Sequence, residues 1–250
     1  MKAEKIPAFS KALRASALLT LIVWAGCSNP ADDVAEAKVE EAQQLAEQVA
    51  AVGNQPSEDA RTFVASDEST IGFVGSKVTG SHEGGFKAFT ASLQVSGGQL
   101  VPEATRVEID MDSTWSDSDR LTGHLKNEDF FNVPAFPSAS FVSTALAKDE
   151  QGHQVTGQLT LHSVTKTITF PASIEVSEES VKVDAEFFIK RFDFGIQYPG
   201  RADDLIRDEV VIKLHIELQA AYRRLNPLGP RSLKSVSIGL RLRYDSSKSG

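Results

Sequence analysis

The run Val181-Lys-Val-Asp-Ala-Glu-Phe-Phe-Ile-Lys-Arg-Phe-Asp193 places an apolar residue at every second position, from Val181 and Val183 through Ala185 and Phe187 to Ile189. If that alternation persists, Arg191 and Asp193 share the face of those five side chains and lie at one end of it. A guanidinium there can hold a phosphate or carbonyl head group through two parallel hydrogen bonds. A neighbouring carboxylate repels an anion, so the two groups can instead satisfy each other, because unpaired buried charge is costly. Both readings stand at this point. Arg120 and His124 are four residues apart and fall on one face of a helix-like stretch. They can clamp a ligand head, or they can join a hydrogen-bond network while Phe130, Phe131 and Phe136 plug the core.

The aromatic usage points the same way. The chain has 14 Phe against 3 Tyr and 2 Trp. Phe carries no polar atom to satisfy, so Phe141, Phe170 and Phe187, with Ile189, suit a dry lining as well as an ordinary core. Other chemistry has little support. His82, His124, His153, His162 and His215 are scattered without metal-ligand spacing, and His215 has outward parity. Asp110, Asp112, Asp117 and Asp119 resemble a carboxylate cluster only in composition, and the first two point outward on a strand. No Gly-x-Ser-x-Gly elbow and no Gly-rich phosphate loop occurs. The expectation is therefore a protein with no catalytic residues, no metal and no cofactor.

Strands must position these groups. Residues 106–111, 167–176, 181–187 and 210–218 alternate cleanly, and shorter candidates lie near 69–78, 86–96, 139–147 and 154–162. Turn signals separate them at Gly84-Gly85, Gly97-Gly98, 149–152 and 177–180. One helical stretch is expected near 119–132. About eight short strands with regular turns predict an all-β sandwich or barrel, and an eight-stranded antiparallel barrel can hold one small ligand.

The flanks differ from this middle. The net charge of −8 hides +3 in residues 1–26, +6 in residues 222–250 and −17 between them, which gives no electrostatic support for nucleic-acid binding. Residues 1–26 read as a signal peptide: Lys2, Lys5, Lys11 and Arg14, then an apolar run that is short for a spanning helix. Ala25 and Gly26 precede Cys27, the only cysteine, which excludes a disulfide framework. This arrangement resembles a bacterial lipoprotein signal, with Trp24 where Leu is usual. It implies a lipidated Cys27 and a membrane anchor; Ser28 after it is the pattern that marks the outer membrane in enterobacterial lipoproteins, and the sequence alone leaves the choice of envelope membrane open. The alternative is an ordinary secretory signal. Residues 27–61 read as an Ala/Glu-rich spacer, helical over 32–52, either a tether or a mostly solvated helix. Residues 222–250 read as a basic, loosely docked tail that alternates over 235–244.

The residues from Arg120 to Thr144, from Val155 to Lys166, from Ile189 to Gly195 and from Asp208 to Leu218 resemble, in that order, the motifs of the YceI-like family. The resemblance covers residues 62–221. It implies a lipocalin-like, eight-stranded antiparallel barrel in the periplasm that holds an isoprenoid or another amphiphilic lipid, without catalysis. Gly123, Lys190 and the Gly-rich stretch near Gly84 depart from the family pattern and bear on ligand identity more than on fold. The alternatives are an envelope interaction module whose barrel core is filled, or an enzyme acting on a bound lipid.

Overall fold

The computed structural model describes residues 29–42, 59–150 and 152–221. The elements are β1 (Ala35–Glu36), β2 (Lys38–Glu41), β3 (Arg61–Ala65), β4 (Thr70–Lys77), β5 (Gly80–Phe86), β6 (Phe89–Ser96), β7 (Gln99–Asp110), β8 (Thr114–Ser116) and α1 (Asp119–Leu125). They continue with β9 (Ser138–Asp149), β10 (Gly152–Leu161), β11 (Val164–Val176), β12 (Ser180–Lys190), β13 (Gly200–Arg201) and β14 (Asp204–Ala220).

Eight of these strands close a ring in chain order: β3, β6, β7, β9, β10, β11, β12 and β14, with β14 returning to β3. Every neighbouring pair in the ring is antiparallel. Of the sandwich and the barrel that the alternation allows, this is the barrel that the family resemblance implies, and closure gives the sheet one inner and one outer face. The β4–β5 hairpin and β8 extend from β14 beside the ring. Gly97 and Gly98, both at positive φ, make the two-residue turn between β6 and β7.

The inward side chains follow the period of two. Val107 and Ile109, Ile168 and Phe170, Phe187 and Ile189, and Ile212, Leu214 and Ile216 face the interior. The end of the barrel that carries the β6–β7, β9–β10 and β11–β12 turns is solid. Phe63, Val95, Val181 and Leu218 are almost completely buried there and pack in one cluster. The opposite end carries α1, the β4–β5 turn, the β13–β14 turn and the 3-10 turn Arg191–Phe194.

Three expectations change. Gly84 and Gly85 are not a turn but lie inside β5, paired with β4 and β8. The Phe73 ring occupies the space beside Gly84: a Cβ there would meet Phe73 Cζ at 2.4 Å and the Trp115 carbonyl oxygen at 2.6 Å. Glycine in this strand marks a close approach rather than a bend. The helix is shorter than expected and ends at Leu125. Ser118 caps it by accepting from the Leu121 N–H, and the chain then folds through turns in which Phe131 N–H donates to the Leu125 carbonyl.

The largest change concerns the spacer. In its first described part, residues 29–42, there is no helix: turns over 30–33 lead into residues 35–41, which form a stave in the barrel wall. β11 and β12 pair with each other at only four positions, Ser173–Val176 against Val181–Asp184. Towards the open end they diverge, and the N-terminal strands fill the gap: β1 runs parallel to β12, and β2 antiparallel to β11. Ala37 is 2% exposed and packs with Ile168, Phe170, Phe187 and Ile189. Glu36 bonds Lys190 at 2.6 Å on one side, and Glu41 bonds Lys166 at 2.5 Å on the other. The first of these contacts holds Lys190 above its ordinary pKa. The unpaired edges of two splayed strands outweigh the helical preference of Ala and Glu, a tertiary override of local propensity. The remainder of the expected helix, the signal segment, Cys27 and the tail lie outside the described residues.

Candidate functional site

The upper half of the barrel is hollow. Its cavity measures about 380 Å³, within the range of sites for small ligands. The walls are Phe, Ile, Leu and Val side chains from both sides of the ring. Phe170 and Phe187 stack at 4.2 Å between ring centres, and Phe141 leans on Phe170 at 5.8 Å. Gly157 makes room for the Phe141 ring, because a Cβ there would fall 2.3 Å from Phe141 Cζ. Leu121 and Leu125 of α1, with Phe130 and Phe131 after it, form the roof.

The polar residues of the lining are Ser76, Lys77, His82, Arg191 and Arg207, and all belong to the open end. Lys77 pairs with Asp204, which also accepts from the Thr79 N–H and hydroxyl. This clamp ties the β4–β5 turn to the β13–β14 turn and, through Lys77 first, holds the Asp204 carboxyl below its ordinary value of 3.8. His82 Nδ1 lies 2.8 Å from Asp117 Oδ1 and lowers the Asp117 pKa in the same way. Because the folded pKa of Asp204 is lowered, its contribution is present above about pH 3.8 and is lost as pH falls through the depressed value. We expect a carbon-13 NMR titration of Asp204 to show a midpoint below that of an unfolded chain, and Lys77→Met to bring the two together.

Arg191 is 4% exposed. Its Nε donates to the Arg207 carbonyl at 3.0 Å, Nη1 to the Ile196 carbonyl at 2.8 Å and Nη2 to the Ile206 carbonyl at 3.2 Å. Its guanidinium also lies 4.4 Å from the Phe192 ring centre. Burial pulls its pKa down, and the charge of Asp208 opposes that shift. Arg191 therefore points inward, as alternation requires, but it does not pair with Asp193. The strand ends at Lys190, and the following 3-10 turn carries Asp193 away from the cavity lining.

Among the other residues singled out in the sequence, Phe141, Phe170, Phe187 and Ile189 line the cavity, while Arg120 and His124 do not. Arg120 is exposed on the first turn of α1. His124 Nε2 sits 2.7 Å from Asp129 Oδ2, and its ring stands edge-on to Phe130 and Tyr198. Its place is thus in the outer layer of the roof, in the network reading rather than the clamp. Phe130 and Phe131 reach the cavity, whereas Phe136 packs on His162 instead.

Sequence reasoning missed Lys77, His82 and Arg207. Lys77 was within reach, since it continues the series Ile71, Phe73, Gly75 along one face of β4. Arg207 was not, because on strict alternation Ile206 and Val210 point inward and Arg207 points out.

A closed up-and-down barrel, solid at one end and greasy at the other beneath a helical roof, defines a lipocalin-like binding barrel. The YceI-like domain model matches residues 64–218, and the chain belongs to that family. It is 32% identical over 139 residues to the UPF0312 protein of Pseudomonas putida strain W619, covering 52% of this chain and 71% of that one. Protein YceI of Escherichia coli strain UMN026 is 33% identical over 93 residues, 36% of this chain and 48% of that one. Among solved structures, Burkholderia cenocepacia BcnA is similar with a TM-score of 0.54 and 26% identity, covering 60% of this chain and 96% of BcnA. A polyisoprenoid binding domain from Saccharophagus degradans shares the fold at a TM-score of 0.51 and 18% identity, over 64% of this chain and 98% of that one.

Proposed function

We propose that this protein is a non-catalytic carrier that shields the hydrocarbon tail of an isoprenoid or related amphiphilic lipid in the bacterial cell envelope, held to a membrane through a lipidated Cys27. The observation that carries the reading is the apolar cavity of about 380 Å³, closed below by packed side chains and ringed above by polar ones. Burial stabilises a chain by about 0.8 kcal/mol per methylene before ordering costs. A tail lies in the wall of Phe, Ile and Leu side chains, and a head stays at the polar rim. The ligand class named for the Saccharophagus domain suits a cavity of this shape. The filled core of the interaction-module reading is found only at the solid end.

The anchor fits the same picture. Asn29 Oδ1 accepts from the Ser76 hydroxyl at 3.4 Å, and Ser76 lines the open end. Cys27 precedes Asn29 by two residues, a reach of about 7 Å at most. A lipid on Cys27 would hold the open end at the membrane surface, so that a ligand could pass from bilayer to cavity with little exposure to water.

Native mass spectrometry of the full chain carrying Cys27→Ser, followed by extraction of any released lipid, tests the carrier. A stoichiometric amphiphile is expected, and an empty protein that takes up no added isoprenoid overturns the reading. Leu214→Trp places a larger ring in the lumen. We expect it to weaken farnesol binding by about tenfold or more while circular dichroism stays unchanged. Fractionation of cells bearing Cys27→Ser tests the anchor: the protein should move from membrane to soluble periplasm.

A further inference from the structure

We infer that Arg207 reads the head of the ligand, and that the preferred ligand carries a negatively charged head group, a phosphate or a carboxylate. This rests on the carrier reading and adds the ligand's charge to it.

The first observation is a bulge. β14 sets Ile206 against Lys77 and Val210 against Gly75, so that four steps on β14 face two on β4. A bulge of this kind re-aims side chains, and such irregularities concentrate at binding sites. Here it brings Arg207 into the cavity lining beside Ile206 and Val210. The second observation is what holds the bulge. The Arg191 guanidinium bonds the carbonyls of both Ile206 and Arg207, and Asp208 accepts from the Phe192 N–H. One arginine is thus spent on backbone and presents another.

The third observation is charge. Lys77 is neutralised by Asp204, His82 faces Asp117, and Arg191 gives three of its five N–H donors to backbone carbonyls and lies near Asp208. The Arg207 side chain makes no hydrogen bond or ion pair among the described residues, and its Nε is buried without a partner. A buried donor left unmade is destabilising, and a positive charge at the edge of an apolar cavity draws a counter-charge. With Nε enclosed by protein, the Nη edge is the one a head group can reach. That edge matches the two oxygens of a phosphate or carboxylate.

The test uses the full chain carrying Cys27→Ser and two pairs of probes with matched tails: farnesyl monophosphate against farnesol, and palmitate against hexadecanol. The unaltered site should prefer the anion of at least one pair by about tenfold to a hundredfold. Which pair shows the preference distinguishes a phosphate from a carboxylate head. Arg207→Met should abolish the preference by weakening the anion about tenfold or more relative to the alcohol, and Arg207→Lys should restore part of it. Equal affinity for anion and alcohol in the unaltered site overturns the inference and leaves the carrier standing. Equal loss of both by Arg207→Met, with Arg207→Lys no better, also overturns it and makes Arg207 a wall residue. Failure of all four probes to bind defeats the carrier itself.

Discussion

Arg191→Leu is expected to lower the unfolding free energy by about 3–5 kcal/mol, the range for removing one partner from a buried charged network. The leucine fills part of the space but leaves the carbonyls of Ile196, Ile206 and Arg207 without their donors. Arg191→Lys should recover little of the loss. An ammonium has no planar fork with which to reach three carbonyls in three directions. Chemical denaturation of the two variants and the parent measures this directly. A loss below about 1 kcal/mol for Arg191→Leu, the size of an ordinary surface effect, would show that the carbonyls find water instead. The variant has a second consequence, because two of those three bonds, to Ile206 and Arg207, hold the bulge that presents Arg207. Head-group preference should fall with stability in Arg191→Leu, whereas Arg207→Met should change preference alone.

Removing residues 29–42 should be about as damaging. The stave supplies the ladder partners of Lys166–Thr169 on β11 and of Phe187 and Phe188 on β12. Without it, two strand edges and the Phe187–Ile189 wall would face water through a slot in the side of the barrel. An exposed edge next to apolar side chains is a template for pairing with another chain. We expect a loss of about 3–5 kcal/mol, binding of a hydrophobic dye, and concentration-dependent dimers in analytical ultracentrifugation. Ala37→Glu tests the same element without deletion. It would place a carboxylate at a position 2% exposed, among Ile168, Phe170 and Phe187. A cost of about 3 kcal/mol or more follows from burying an unpaired charge. A stable, monomeric deletion variant that binds no dye would mean that β11 and β12 close on each other without help.

The stave also changes the way an anchor would work. A helical tether would let the barrel range away from the membrane. A segment laced between two strands, beginning beside Ser76, gives it no such freedom. The same residues thus seal the cavity wall and place Asn29 beside Ser76.

Much of this molecule was legible in one dimension. The alternation at Val107 and Ile109, at Ile168 and Phe170, and from Val181 to Ile189 is a local property of an extended backbone, whose side chains change face at every residue. It placed the strands, chose their inner faces and identified four apolar residues of the lining. Gly97-Gly98 marked a hairpin because only a tight turn asks for two positive φ values in succession. The order of the motifs, from Arg120 to Leu218, pointed to the family.

What the sequence could not show depends on ring closure. β11 and β12 splay, and only that gap makes a strand of an Ala- and Glu-rich stretch that favours a helix in isolation. Asp193 leaves the cavity because the chain turns after Lys190. Two of the three partners of Arg191 are carbonyls on another strand, which no local period reveals. Arg207 turns inward at a bulge defined by a mismatch between two strands distant in sequence. Local alternation decides which face a residue shows, but the polar rim is set by how the strands meet, and that pairing exists only in three dimensions.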